Sequence, residues 1–179
     1  ILVIHSTVPI GVSAFLGAVH HPIRGTHPNL VEGIKTFVNY FGGEKAQEAA
    51  VPFQEMGIQC VTVGDSRTTE ALKLWDTTQY GLQIIIEKGI YDFCQTMDLD
   101  FDLVYTQANR TYNEGYEKLG KSEVKRPVLK HYPGSIGGHC IIPNAKILND
   151  SLADLLLERN LWYTRDMEGG PSRNSTTID

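Results

Sequence analysis

The sequence predicts an α/β segment followed by a mainly α-helical segment organised on one long helix. Three observations predict it. The chain opens on Ile1-Leu2-Val3-Ile4, an apolar run that reads as a buried strand. A helical pattern over residues 44–56, a glycine at Gly57 and a β-rich run from Ile58 to Val63 follow in an α/β order. Apolar residues then recur at helical spacing from Thr68 to Met97. A helix of that length spans roughly 45 Å, more than the width of a small domain. The expected organisation is an α/β portion at 1–64, a helical portion at 65–163 and a loosely held tail at 164–179 that carries few large apolar groups.

Composition narrows the function classes. With 179 residues, 41% of them hydrophobic, the chain can bury a real core. A net charge of −5 argues against a duplex nucleic-acid binder, which normally presents a basic patch. No apolar run approaches the ~18 residues of a membrane-spanning helix, and no basic signal-peptide region precedes the first strand. Cys60, Cys94 and Cys140 are odd in number and far apart, so they fit neither a disulfide framework nor the close pairs of a zinc site. A reducing, cytoplasmic setting is expected.

The elements are expected in this order. Residues 1–4 form a strand that needs neighbours on both faces, and little else before residue 57 reads as one. Those neighbours are expected from a partner or from chain outside this sequence. The apolar segment 12–19 is a second, weaker strand candidate. Asn29–Phe41 reads as a helix with an Asn29/Glu32 capping box and a Leu30, Ile34, Phe37, Phe41 stripe, stopped by Gly42-Gly43. In the 68–97 helix, Leu72, Trp75, Leu82, Ile86, Ile90, Phe93 and Met97 share one broad face, and a partner subunit is the simplest cover for it. Asp98-Leu99-Asp100 ends it, with Asp100 as cap for a helix over 101–119. A charged loop at 120–130 leads to the glycine-rich stretch, and a last helix covers 144–161.

The residues with chemical potential cluster in a few places. Pro133-Gly134-Ser135-Ile136-Gly137-Gly138-His139-Cys140 places a thiol between a glycine-rich loop and a helix start. Free amide N–H groups there favour the thiolate, which suits a covalent nucleophile; a tight turn before a buried cysteine is the alternative. His139 is adjacent, yet neighbouring side chains in extended chain point apart. Lys73, flanked by apolar residues, either stabilises an oxyanion or lies on the helix surface, where it could pair with Glu70. Ser6 and Thr7 stand at the C-terminal end of the first strand, where open α/β sheets place ligands, or else cap the next segment. Arg24 suits a phosphate or carboxylate, or is a solvated surface group. His20, His21 and His27 lack nearby acids and read weakly as a metal site.

Four stretches, in order, resemble the UDP-glucose/GDP-mannose dehydrogenase family over roughly residues 1–157. Ser6-Thr7-Val8-Pro9-Ile10-Gly11 resembles its "STVPPG" turn, and Thr68-Thr69-Glu70-Ala71-Leu72-Lys73-Leu74 resembles the "TAE..KL" start of its central helix. Asp98-Leu99-Asp100 resembles its "GID" step, and Pro133–Ile141 resembles its "PG.GGHCIP" loop. The resemblance implies the end of a Rossmann-like NAD-binding domain at 1–64, then a helical domain that dimerises through helix 68–97. It implies oxidation of a sugar C6 alcohol on a UDP- or GDP-sugar, with NAD as cofactor. Cys140 matches the family nucleophile, Lys73 the oxyanion-stabilising lysine, and Thr7 a threonine near cofactor and active site. Ser6, Thr7 and Pro9 would face the cofactor, while Lys73, Thr77, Gly137, Gly138, His139 and Arg24 would face the substrate.

The departures are equally specific. Pro22-Ile23 stands where the family has Pro-Glu, Thr77 replaces an asparagine four residues after the lysine, and Asn144 occupies the position of a catalytic aspartate. An amide cannot accept a proton as a carboxylate does. No G-x-G-x-x-G occurs, so NAD binding needs a portion not in this sequence. The alternatives are a non-catalytic dimerising or ligand-binding module and a related reductase with another substrate.

Overall fold

The computed structural model describes residues 1–25 and 28–167. Two compact units emerge: Ile1–Thr78 with Pro143–Ala153, and Gln79–Ile142 with the chain from Asp154 onward.

The first unit holds a four-stranded mixed sheet in the order β1-β2-β3-β4. Its strands are β1 (Val3–Ile4), β2 (Val19–His20), β3 (Asn39–Gly42) and β4 (Cys60–Val63). β1 and β2 run parallel, β2 and β3 antiparallel through His20 and Gly42, and β3 and β4 parallel over four residue pairs. Helix α1 (Val12–Phe15) connects β1 to β2, α2 (Leu30–Thr36) precedes β3, and α3 (Ala46–Glu55) connects β3 to β4. Val19, Phe41, Ala46, Ala49 and Ala50 form the core, with Val3, Phe53 and Cys60 packed against it. The three alanines of α3 let the helix lie close on the sheet, so a small core is filled without long side chains.

Three expectations about this unit are corrected. The 29–41 helix stops at Thr36, and Asn39–Gly42 is a strand. Phe37 and Phe41 have helical spacing, but Val38, Tyr40 and Phe41 are β-branched or aromatic residues that favour a strand, and Phe41 is fully buried in the sheet. Pairing with β4 outweighs the weak helical periodicity. The expected capping box is absent too: Asn29 is the N-cap residue but makes no side-chain cap bond. Segment 12–19 is helix α1 plus the start of β2, so strands β2 and β3 both precede residue 57.

α4 spans Ser66–Thr96, close to the expected 68–97. Its buried positions include Leu74, Thr78, Ile85, Glu87, Lys88 and Cys94, while Ile86 and Phe93, and Met97 just past its end, are 61%, 56% and 57% exposed. The exposed stripe is thus more apolar than much of the buried one.

In the second unit, Asp100 caps the following helix as expected, its Oδ1 accepting from the Asp102 and Leu103 amides at 2.9 and 3.2 Å. That helix opens as a π-helix over Asp102–Gln107 before continuing as α5 (Ala108–Lys118). The expected single helix at 144–161 is two, α6 (Ile141–Leu148) and α7 (Ser151–Met167). Asn149 takes a left-handed φ of 50°, and Asp150 Oδ1 accepts from the Leu152 amide at 2.9 Å, which ends one helix and caps the next. Thr164–Met167 belong to α7 rather than to a loose tail; the rest of that expected tail lies outside the described residues. Among the described residues no helix is long and apolar enough to cross a membrane.

Candidate active site

In the first unit, the opening turns of α4 grip the loops that carry the sequence motifs. Glu70 is buried, and its two carboxylate oxygens accept from the Gly11 amide at 2.6 Å and the Ser13 amide at 2.7 Å. A carboxylate at the free amides of α1 satisfies donors that the short helix cannot satisfy itself. One turn on, Lys73 Nζ donates to the Ile23 carbonyl at 2.8 Å. Glu70 and Lys73 therefore hold separate loops.

A further turn along the same face, Thr77 Oγ1 lies 3.1 Å from the Leu74 carbonyl and 3.3 Å from that of Lys73. It accepts a 3.0 Å hydrogen bond from Asn144 Nδ2, and Asn144 is buried in α6. Two positions where this sequence departs from the family it resembles are therefore partners. The pair is neutral.

Ser6, Thr7 and Pro9 lie in the turn between β1 and α1; Ser6 and Pro9 are exposed and Thr7 half-buried. Arg24 is engaged by Asp76, 3.5 Å from its Oδ1, and its guanidinium lies 5.5 and 5.9 Å from the rings of Phe37 and Tyr40. His20 and His21 are fully buried in hydrogen-bond networks, and His27 lies outside the described residues. Among the described residues, no cluster of three or more His, Cys, Asp or Glu is placed to hold a metal. Burial lowers the pKa of both histidines, that of His21 to about 4.

In the second unit, the glycine-rich loop is anchored at its middle. Asn160 of α7 accepts the Ile136 amide at 2.6 Å and donates to the Ile136 carbonyl at 3.4 Å. Lys88 Nζ donates to the Tyr132 carbonyl at the loop entrance. Upstream of it, His131 stacks on Tyr91 at 3.6 Å and meets Glu87 Oε1 at 2.9 Å. Beyond Ile136 the loop is open: Gly137, Gly138, His139 and Cys140 are all exposed. Gly138 adopts φ 82°, a conformation that glycine reaches without strain. Cys140 directly precedes α6, and all three cysteines are free thiols. No hydrogen bond joins His139 to Cys140. A cavity of about 420 Å³ borders the loop, with Tyr80, Ile84, Lys88, Lys130, Tyr132 and Gly137 among its walls.

Sequence reasoning missed Glu70, Lys88 and Asn160 as organising residues. Each is a polar residue on an apparently ordinary helix, and no sequence period reveals which loop it holds.

A dinucleotide pyrophosphate needs free backbone amides at a glycine-rich strand–turn–helix. At the turn after β1, the Gly11 and Ser13 amides are occupied by Glu70. The described residues therefore do not fit a whole dinucleotide; Ser6, Thr7 and Pro9 can contribute one wall to such a site.

The chain shares its fold with dehydrogenases of nucleotide sugars. The similar structures include a UDP-D-ManNAc dehydrogenase from Pyrococcus horikoshii, with a TM-score of 0.71 and 16% identity over 93% of this chain and 43% of that one. An NDP-N-acetyl-D-galactosaminuronic acid dehydrogenase from Methanosarcina mazei Go1 gives 0.66 and 19%, over 93% and 41%. The UDP-N-acetyl-mannosamine dehydrogenase Cap5O from Staphylococcus aureus gives 0.62 and 20%, over 93% and 42%. The chain thus spans less than half the length of each. No protein-family profile and no curated protein sequence matches it.

Proposed function

We propose that this chain is the central portion of a nucleotide-sugar dehydrogenase that oxidises an alcohol carbon of a UDP- or GDP-sugar, with Cys140 as nucleophile. The hydrogen bond from Asn144 to Thr77 carries the reading. It fixes the α4 turn that bears Lys73 to α6, the helix that Cys140 precedes. Such a bond is what two motifs serving one reaction require, and a random α/β scaffold has no reason to join them. The shared fold over 93% of the chain supports the same reading.

In this reaction the sugar alcohol first loses a hydride and a proton to give an aldehyde, and the thiolate of Cys140 then attacks that aldehyde, forming a C–S bond and an alkoxide on the former carbonyl oxygen. The ammonium of Lys73 stabilises that developing negative charge. Loss of hydride from the thiohemiacetal carbon gives a thioester, and water then releases the carboxylate and the thiol. A nicotinamide cofactor, when bound, would accept the two hydrides, and its phosphate-binding part would come from outside this sequence. Thr7 borders the cofactor, while Gly137, Gly138 and His139 line the substrate approach. Asn144 orients Thr77 rather than activating water, so the hydrolytic step lacks the carboxylate expected there. The same reading makes the protein a cytoplasmic homodimer that covers Ile86 and Phe93 of α4 and Met97 just past its end.

The test is reduction of NAD by the intact protein with UDP-N-acetylmannosamine, UDP-glucose and GDP-mannose in turn. The reading requires absorbance at the NADH band with at least one sugar and its loss in Cys140→Ser. Silence with all three in a folded, complete protein would remove it.

A further inference from the structure

Three side chains of the first unit fix one another's protons. Asn39 Nδ2 donates to the carbonyls of Ile34 and Phe37 at 2.7 and 2.8 Å. Carbonyls only accept, so the orientation of the amide is set, and Asn39 Oδ1 faces His21 Nε2 at 2.9 Å. His21 Nε2 must therefore carry the proton. In the neutral ring, Nδ1 is then a lone pair, and it lies 3.0 Å from His5 Nδ1. His5 Nδ1 also faces the His21 carbonyl at 3.3 Å, a second pure acceptor. His5 consequently carries a proton at Nδ1, and in its neutral form Nε2 is then the bare nitrogen. His5 is exposed, and its Nε2 has no hydrogen-bond partner among the described residues. The residue directly follows β1 and precedes Ser6 and Thr7.

The surroundings keep His21 in this state. Its ring is fully buried, stacked on Phe41 at 4.1 Å with an interplanar angle of 7°, and edge-on to Phe53 at 4.9 Å. Around the cluster, His5 just after β1, His20 of β2, and Glu70 and Lys73 of α4 are the groups whose charge acts on His20 or His21. β3 and α3 contribute Asn39 and the two aromatic rings. Burial resists a charge on His21, whose pKa falls to about 4, so the ring stays a neutral acceptor for His5 near neutrality.

We propose that Asn39 and His21 are positioning residues that hold His5 as its Nδ1–H tautomer, and that His5 Nε2 accepts the hydrogen of a hydroxyl group on a sugar-bearing ligand bound at the turn after β1. The logic is that of a buried orienting group that sets the tautomer of a working imidazole. The ligand class rests on the nucleotide-sugar reading; the tautomer relay does not. The hydroxyl can come from the sugar of a nucleotide sugar or from the ribose of a dinucleotide.

Nitrogen NMR of the intact, 15N-histidine-labelled protein separates these points. Without ligand, the neutral form of His5 should show a protonated Nδ1 and an unprotonated Nε2, and that of His21 the reverse. His21→Phe keeps the stack on Phe41 but removes the acceptor, and Asn39→Ala removes the anchor. In either variant that retains its circular dichroism, the His5 signals should shift toward the tautomer mixture of free imidazole. An unchanged His5 in a folded His21→Phe variant, or an Nε2–H tautomer in the parent, overturns the relay. UDP-glucose and NAD are then added separately. A shift of His5 Nε2 with UDP-glucose that UDP alone does not produce assigns a hexose hydroxyl, and a shift with NAD a ribose hydroxyl of the dinucleotide. No shift with either overturns the ligand assignment while leaving the relay, and the NAD-reduction assay reports independently on the dehydrogenase reading.

Discussion

Asn144 Nδ2 donates to Thr77 Oγ1 at 3.0 Å, so the residue four places after Cys140 is bound to the residue four places after Lys73. The threonine hydroxyl lies within reach of the Lys73 and Leu74 carbonyls and directs its own proton there, which leaves its oxygen free to accept. A neutral amide–hydroxyl pair thus stands where a charged acid would otherwise face the helix.

Breaking this pair should be measurable without any activity. Asn144→Ala and Thr77→Val are each expected to cost about 1–2 kcal/mol, because each leaves a partly buried polar group unmatched. In a double-mutant cycle by urea denaturation, the double variant should lose less than the sum, with a coupling of about 0.5–1.5 kcal/mol. Additive losses would mean the bond contributes nothing. Asn144→Asp keeps the hydroxyl as partner, and in the intact protein it should speed acid release after the first turnover, seen as a smaller difference between burst and steady-state NADH formation.

Glu70 gives the largest expected single-site effect in the first unit. Glu70→Ala leaves the Gly11 and Ser13 amides without their acceptor and should destabilise by roughly 3 kcal/mol or more. Glu70→Gln retains one acceptor but turns an NH₂ group toward the other amide, so roughly 1–2 kcal/mol is expected. The urea midpoint measures both, and equal midpoints for the two variants would contradict the two-oxygen geometry.

Acid should weaken the fold through His21. The unfolded residue binds a proton near its ordinary pKa of 6.5, whereas the folded one does so only near 4. Between those values the unfolded state holds more protons, so stability falls as pH drops from about 6.5 to about 4 and then levels off for this group. The shift corresponds to about 3 kcal/mol. His20 shifts in the same direction through burial and adds to the effect. The pH dependence of unfolding in His21→Phe should be flatter over this window, and an unchanged slope would remove His21 as its source.

Two glycines of α4 should respond in opposite ways. A Cβ on Gly81 would lie 2.5 Å from Ile141 Cγ2 and 2.8 Å from Leu156 Cδ2, whereas one on Gly89 meets nothing within 4 Å. Gly89→Ala should stabilise by roughly 0.5–1 kcal/mol through helix propensity. Gly81→Ala gains the same propensity but loses about 1–3 kcal/mol to overpacking, so its net effect is a loss. Thermal midpoints that rise for both would show that the second-unit helices yield freely at Gly81.

The longest periodic segment was the most legible: α4 lies within two residues of the expected start and one of the expected end. The strand β3 was hidden because Phe37 and Phe41 satisfy a helical spacing while Val38–Phe41 satisfies a strand. Only pairing with a strand about twenty residues away decides between them. The break between α6 and α7 did carry a signal, since Asn149-Asp150-Ser151 holds both a left-handed stop and a cap, yet the leucines on either side kept the period going. At the site, the motif positions could be named from sequence, but their partners could not. Nothing in Glu70 announces Gly11 and Ser13, and nothing in Asn39 announces a histidine relay, because these contacts join residues 18 to 59 positions apart.

The central claim is that Cys140 forms a bond to the substrate carbon. The most direct measurement is mass spectrometry of the intact protein, acid-quenched during turnover with NAD and the UDP- or GDP-sugar that supports it. The account predicts a sugar-nucleotide acyl adduct on the peptide containing Cys140, absent from Cys60 and Cys94 and from the Cys140→Ala variant. NADH formation with no adduct, at an undiminished rate in Cys140→Ala, would contradict it.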